Sequence, residues 1–446
     1  MASIHLLVLI HGMWGNPGHL AELARIIGDT YSTPSSEGIK LELLLAETNR
    51  EESTYDGIDW GGERVAQEVM DKVESLEQDG NSKVVDFSIT GYSLGGLVAR
   101  YVIGVLQQRG FFETVTPVNF NTLATPHIGL PRYPSLMSSL FTSLGSKLLS
   151  RTGEQFYCVD RWSATGRPLI EVMADPGTTF RGVETVYLNN NDIDRIFYQG
   201  LSRFKHLRIY ANAINDMTVP YVTSAIEVDD PFALRETVGI EVELYEDALL
   251  LKSHRVPDTP PVPTPKALIL SPTWFRNRKP SRPFLPPALQ LRFPFNIVIY
   301  ALLPILIPMG ISLALINLSM ATRSSRARIR LLEKDESSKG KLIHVLADIE
   351  RDLERTVVDY IDDPDPTPSH HPFEKKTKLT SEQPILTPLQ RKIAASLNKL
   401  PIKKELAYFD NVRNAHAIIV CRDVKRFEGH KAGEGVVRHW AASFIL

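Results

Sequence analysis

The chain reads as an α/β protein built on a parallel sheet, and two observations predict it. Residues 4–10 are apolar throughout apart from His5, without the alternation of a half-exposed strand, which is the pattern of a strand covered on both faces. A second strand-like run, 84–89, leads through Gly91-Tyr92-Ser93-Leu94-Gly95 into a helix-like stretch that begins at Leu94 and reaches about Leu106. A Gly-x-Ser-x-Gly set between strand and helix is a nucleophile elbow, a turn so sharp that its neighbours must be small, and it lifts the serine hydroxyl clear of the sheet. Such an elbow predicts the α/β-hydrolase fold, with Ser93 as the candidate nucleophile.

The elements on either side fit that order. The first strand runs straight into His11-Gly12-Met13-Trp14-Gly15-Asn16-Pro17, where a hydrolase of this kind builds half of its oxyanion hole. The backbone N–H of Met13 is the candidate donor there, and that of Leu94, at a helix N-terminus, is the other. The plainer alternative is that His11-Gly12 is only a tight turn and Ser93 only a helix cap.

Triad partners follow in the order Ser, acid, His. Residues 206–212 form a plausible strand, followed by the turn Asn215-Asp216-Met217-Thr218-Val219-Pro220, which makes Asp216 the leading acid. Asn-Asp pairs favour turns in any case, and Asp175 and Asp230 are rivals. Residues 405–409 look like the last strand, and the polar loop 410–415 then places His416 where the base belongs. His430, between Gly429 and Lys431, stays open as a second candidate. His439 shares an expected final helix with Val436, Val437, Trp440 and Phe444 and reads as a packing residue.

Taken together, the 11–17 segment, the box Tyr55-Asp56-Gly57-Ile58-Asp59, the elbow, Ala124-Thr125-Pro126-His127-Ile128-Gly129 and the Asp216 turn resemble the DUF676-type serine esterase family of eukaryotic lipases. Chain length and a late apolar segment are most similar to its fungal members of the lipid-droplet phospholipase type. The resemblance covers residues 1 to about 226 well and the tail around His416 moderately. It implies hydrolysis of acyl esters in glycerolipids, phospholipids above all, by Ser93, Asp216 and His416. Asp56, Asp59 and His127 match family boxes and are expected to be structural.

Composition frames this independently. The chain has 446 residues, 43% of them apolar and 23% charged, which suits a core-forming hydrolase with an insertion or two domains. A net charge of −2 argues against a nucleic-acid partner. Two cysteines, Cys158 and Cys421, are too few for a disulfide framework and suit a reducing compartment. The apolar N-terminus has no basic leader and feeds the oxyanion turn, so it is expected to be a core strand. No phosphate-cradling glycine loop and no metal-ligand spacing is present, and no cofactor is expected.

Residues 293–320 contain no charge and are long enough to cross a bilayer. A single crossing would leave Asp216 and His416 on opposite faces. Pro304, Pro308 and Gly310 are therefore expected to break the segment into a hairpin of two arms in one leaflet, with a true span or a buried core helix as alternatives. Trp274, Phe275, Arg276, Arg278, Lys279 and Arg282 before it, and Arg323, Arg326, Arg328 and Arg330 after it, suit an anionic headgroup surface. A hairpin fits a lipid droplet or the endoplasmic reticulum membrane, with the catalytic part facing the cytosol.

Residues 130–149, with Leu136, Met137, Leu140, Phe141, Leu144 and Leu148 at helical spacing, are either a lid or a core helix. Leu342, Leu346, Ile349, Leu353, Val357 and Tyr360 stripe an expected surface helix, and 256–265 and 361–378 read as linkers. The chain thus divides into a hydrolase core (1–226), an insertion carrying the membrane segment and the amphipathic helix (227–400), and a tail that completes the hydrolase (401–446). The expected activity is that of a membrane- or droplet-associated lipase or phospholipase. A neutral-lipid lipase, an acyl-protein thioesterase and a non-catalytic lipid-surface adaptor are the alternatives.

Overall fold

The computed structural model describes residues 1–163, 166–177, 195–257, 295–334 and 383–446. The expectations for Trp274 to Arg282, for the 342–360 stripe, for 361–378 and for most of 256–265 lie outside these residues, as do the side chains of Leu136, Met137, Leu140 and Phe141.

The described strands are β1 (Ala2–Ile10), β2 (Ile39–Leu45), β3 (Ser82–Tyr92), β4 (Thr116–Leu123), β5 (His206–Asn212), β6 (Glu241–Leu244), β7 (Leu251–Arg255) and β8 (Ile402–Ala407). Six of them pair in parallel in the order β2-β1-β3-β4-β5-β8, and β6 and β7 make a separate antiparallel hairpin. The helices used below are α1 (Ala21–Thr30), α2 (Ile58–Glu77), α3 (Leu94–Gln108), α4 (Leu136–Leu148), α5 (Ser150–Phe156), α6 (Ile196–Ser202), α7 (Phe295–Lys334), α8 (Pro388–Leu397) and α9 (Glu434–Ala442).

This is the α/β-hydrolase arrangement, and the side-chain period of two in β1 explains why its sequence is apolar throughout. Leu6, Val8 and Ile10 enter the cluster made with Val65 and Val69 of α2 and Val98 and Val102 of α3. Leu7 and Leu9 enter the opposite cluster, with Leu23 and Ile27 of α1 and Val437 and Trp440 of α9. The last strand begins and ends a few residues earlier than the 405–409 expected. As the edge strand it exposes Lys403 beside the paired β5, so its polar residues hid its start. Strand order reverses between β1 and β3, and the carboxyl ends of parallel strands at such a reversal open a crevice suited to a ligand. The 11–17 turn leaves β1 there and Ser93 leaves β3.

The expected hairpin in the apolar segment is not what forms. Helix α7 runs unbroken for 40 residues with Pro304 and Pro308 inside it. Each proline removes one backbone bond and kinks a helix at a cost of roughly 3 kcal/mol, but a reversal needs several non-helical residues, and a lone Gly310 does not supply them. Tyr300–Lys334 is long and apolar enough to cross a membrane by length and composition, and an 18-residue stretch within it has a mean hydropathy of 2.1 and is not buried against the body.

Its C-terminal part behaves differently. Ala321, Thr322, Ser325 and Ile329 recur along one face and are buried. Thr322 Oγ1 donates to Leu148 O at the end of α4 (2.5 Å), and Ser150 Oγ of α5 lies 3.1 Å from Ser325 Oγ. Arg323, Arg326 and Arg330 are exposed, whereas Arg328 turns inward to Asp56 and is not available to a headgroup surface.

Candidate active site

Ser93 sits between β3 and α3 with φ 55° and ψ −126°. A non-glycine residue held there stores roughly 1–3 kcal/mol of strain, which the packing around it must offset. That packing is tight. A Cβ on Gly95 would come within 2.1 Å of Ile10 O, and one on Gly12 within 2.7 Å of Ser93 Cβ, so the oxyanion turn abuts the nucleophile directly.

The turn itself is closed by Gly15 N–H donating to Gly12 O (3.1 Å). Met13 lies inside it, and Leu94 is the first residue of α3, so its N–H has no partner within the helix. His11 stays beside the turn through a 3.0 Å contact of Nδ1 with Gly12 O, and burial pushes its imidazole below the ordinary value.

Asp216 and His416 converge on Ser93 from β5 and from the loop after β8. His416 Nε2 is 3.0 Å from Ser93 Oγ, and His416 Nδ1 is 3.0 Å from Asp216 Oδ2. The acid is fully enclosed by donors: Asn212 Nδ2 at 2.8 Å on Oδ2, and the N–H groups of Thr218 and Val219 at 2.9 and 2.8 Å on Oδ1. Burial alone pushes the Asp216 carboxyl up, but His416 beside it and these hydrogen bonds outweigh that and hold it below the ordinary carboxylate value. A carboxylate so held fixes the imidazole with Nε2 free to accept the serine proton.

Further contacts set the ring. Tyr92 stacks on it at 5.1 Å between centroids and donates its hydroxyl to His416 O (3.0 Å). Ala415 N–H donates to Asn215 O (2.8 Å), which stitches the base loop to the acid loop. Asn212, Tyr92 and Asn414, whose Oδ1 accepts from His416 N–H at 3.2 Å, were not foreseen in the sequence. Asn212 had a signal, since it closes a strand four residues before a carboxylate that needs donors when buried. Tyr92 reaches His416 across 324 positions, and Asn414 Oδ1 also accepts from Met217 N–H at 3.3 Å across 197, contacts that sequence order does not announce.

The rival residues lie elsewhere. His430 Nδ1 accepts from Asp423 N–H (3.1 Å), and His439 Nδ1 is 3.1 Å from the hydroxyl of Tyr210. Asp175 pairs with Arg167 at 2.6 Å, and Asp230 caps Phe232 N–H at 2.8 Å. His127 is buried with Nε2 2.8 Å from Thr122 Oγ1, and burial followed by the Arg100 charge holds it well below the ordinary histidine value. A cavity of about 380 Å³ touches Asp216, Tyr221, Asp230 and Arg235 but neither Ser93 nor His416. Among the described residues no group of His, Cys, Asp and Glu is arranged to hold a metal ion.

Residues 2–226 match the family described as "Putative serine esterase (DUF676)". "Putative lipase C4A8.10" of Schizosaccharomyces pombe is 29% identical over 241 residues, 53% of this chain and 28% of its own. "Putative lipase ROG1" of Saccharomyces cerevisiae is 26% identical over 224 residues, 50% of this chain and 28% of its own. The aligned part thus spans under a third of the length of either relative. Among solved structures, the peroxisomal alpha-beta-hydrolase Lpx1 of Saccharomyces cerevisiae overlaps 33% of this chain and 40% of its own, at 16% identity and a TM-score of 0.23.

Proposed function

The chain belongs to the "Putative serine esterase (DUF676)" family, and from that premise we propose that it is a lipid-surface serine hydrolase that cleaves acyl esters of glycerolipids, with phospholipids as its main substrates. The observation that carries this is the continuous relay of two 3.0 Å contacts from Asp216 through His416 to Ser93. Ser93 Oγ attacks the acyl carbonyl carbon while His416 Nε2 takes its proton. The oxygen of the tetrahedral adduct turns towards the N–H groups of Met13 and Leu94, where each such donor is worth about 3–4 kcal/mol of barrier lowering. The adduct expels the lysolipid or alcohol, protonated by His416, and water, activated by the same imidazole, then releases the fatty acid and restores Ser93.

The lipid surface enters through α7. Its apolar residues face outwards on every side, and a helix apolar all round belongs in hydrocarbon. The chain before it, 258–294, carries Lys266, Arg276, Arg278, Lys279, Arg282 and Arg292. A full crossing would force these charges back across the bilayer, since both Arg255 and Ala321 belong to the body. The helix therefore lies within one leaflet, on a lipid droplet or the endoplasmic reticulum membrane, with the hydrolase on the cytosolic side.

The test is fatty-acid release from a panel of phospholipids, triacylglycerol and acylated peptide by the membrane-bound protein, together with labelling by a fluorophosphonate. Release from phospholipids that vanishes with Ser93→Ala and His416→Ala supports the proposal. Preference for triacylglycerol or the acyl-peptide would replace the substrate class, and no labelling at Ser93 would leave a non-catalytic adaptor.

A further inference from the structure

The apolar helix and the oxyanion turn meet at one short segment. In the box Tyr55-Asp56-Gly57-Ile58-Asp59 both aspartates are fully buried, and neither touches the Ser93 relay. A buried carboxylate needs charged or N–H partners, and α7 supplies one to Asp56 and reaches the arginine that holds Asp59. Arg328 closes on Asp56 with Nη2 2.9 Å from Oδ1 and Nε 3.3 Å from Oδ2, and Nη2 also donates to Glu52 O at 2.8 Å. Arg64 holds the same carboxylate from α2 at 3.0 Å. Asp59 is gripped by Arg151 at 2.5 Å, and Arg151 in turn reaches Glu333 of α7 at 3.9 Å. The docked end of the helix is thus latched at two points.

The same segment holds the oxyanion turn on its other side. Trp14 N–H donates to Thr54 Oγ1 (3.2 Å), Trp14 Nε1–H to Tyr55 Oη (2.7 Å), and Glu51 N–H to Gly15 O (2.9 Å). Trp14 directly follows Met13 and has φ 53°, a backbone conformation that outside contacts must hold. Its indole is also more than half exposed at the rim of the site.

We infer that segment 51–59 is a joint by which α7, seated in lipid, holds the oxyanion turn in working geometry, with Arg328 as a positioning residue. The inference rests on the hydrolase reading above. The physical route is contiguous: a rigid helix, a buried ion pair, a one-turn segment and three hydrogen bonds to the turn that carries Met13. Arg328 touches no reacting atom.

The test uses the full chain on phosphatidylcholine vesicles, comparing wild type with Arg328→Ala, Arg328→Lys and Trp14→Phe. Kinetics are measured on vesicle phospholipid and on a soluble short-chain ester, and hydrogen exchange is followed in peptides covering 11–17 and 51–57. Arg328→Ala should stay on the vesicles and keep KM within about twofold. Its kcat should fall about tenfold on both substrates, below the cost of deleting an oxyanion donor outright. Exchange should rise several-fold in both peptides and stay unchanged in 94–106, with partial recovery in Arg328→Lys and a smaller shift in Trp14→Phe. Unchanged exchange at 11–17 in Arg328→Ala overturns the joint, as does vesicle release with normal kcat on the soluble ester, which would make Arg328 an anchoring contact only. If wild type turns over no ester, the proposed function falls while the exchange comparison still decides the joint.

Discussion

Leu6 and Leu9 of β1 and Leu313 and Ile316 of α7 are the same chemistry in opposite surroundings. The first pair is almost completely hidden, whereas the second is more than half exposed. In β1 the pleat sends alternate residues to two different layers of helices, so folding alone removes them from water. In α7 the apolar residues recur on every face, and most of those between Tyr300 and Met320 are exposed. What this contrast teaches is that apolar content does not say which solvent a segment is meant for. The sheet is completed by the chain, and in the proposed function the helix is completed by lipid.

Point mutations test whether the two regions are separable. The largest separates what the two regions do: Ser93→Ala and His416→Ala should lower ester hydrolysis on the order of 10⁴–10⁶-fold, and Asp216→Asn about 10⁴-fold. All three should leave flotation with vesicles as in wild type, and His430→Ala should leave the hydrolysis rate within about twofold. A mutant that lost both properties together would dissolve the division.

Next in size is Leu6→Ala, which should destabilise the body by about 2–5 kcal/mol in thermal or denaturant unfolding, because a fully buried site loses contacts and gains a cavity. Leu313→Ala in detergent should stay within about 0.5 kcal/mol. Leu313→Lys should reverse the ranking in a partition assay. A charge in mid-hydrocarbon costs about 2.5–3.5 kcal/mol, so vesicle binding should weaken about 100-fold with no change on a soluble ester.

The smallest expected effect concerns acid. His5 lies in the sheet with Nε2 2.6 Å from Ser88 Oγ, and burial, helped by the Lys205 charge, lowers its pKa to about 3. Because the folded value lies below the unfolded one of about 6.5, the stability linked to neutral His5 is complete above pH 6.5 and drains away as pH falls towards 3. The loss should be about 2 kcal/mol by pH 5. Unfolding followed from pH 7 to 5 should show a loss about 2 kcal/mol smaller in His5→Gln than in wild type, the remainder coming from His127 and His11, which burial also holds below the ordinary value. Lipid partition of α7, whose apolar half carries no titratable acid or base but Tyr300, should not change over that range.

What was legible in the sequence follows from how local each feature is. The elbow is a steric necessity confined to five residues, so Ser93 and the start of α3 could be placed to the residue. Strand β5 was bounded correctly because turn residues flank it, and β8 was misplaced because an edge strand carries lysines. The hairpin expectation failed for a physical reason: proline signals a kink, and the sequence holds no turn chemistry for reversal. Asn212 could have been anticipated from the needs of a buried acid. Arg328 could not, since its partner Asp56 lies 272 positions away and the exposed arginines around it look the same in sequence.

The distance between Ser93 and His416 along the chain, 323 residues with α7 in between, has a consequence for how the protein is made. At about 5–20 residues per second, roughly 4–16 s of synthesis separate the end of α7 from His416. During that interval the apolar helix already exists while the serine lacks its imidazole. On the proposed function, a nascent chain finds a lipid surface before it can cut anything on it, so the order of synthesis itself acts as a safety catch.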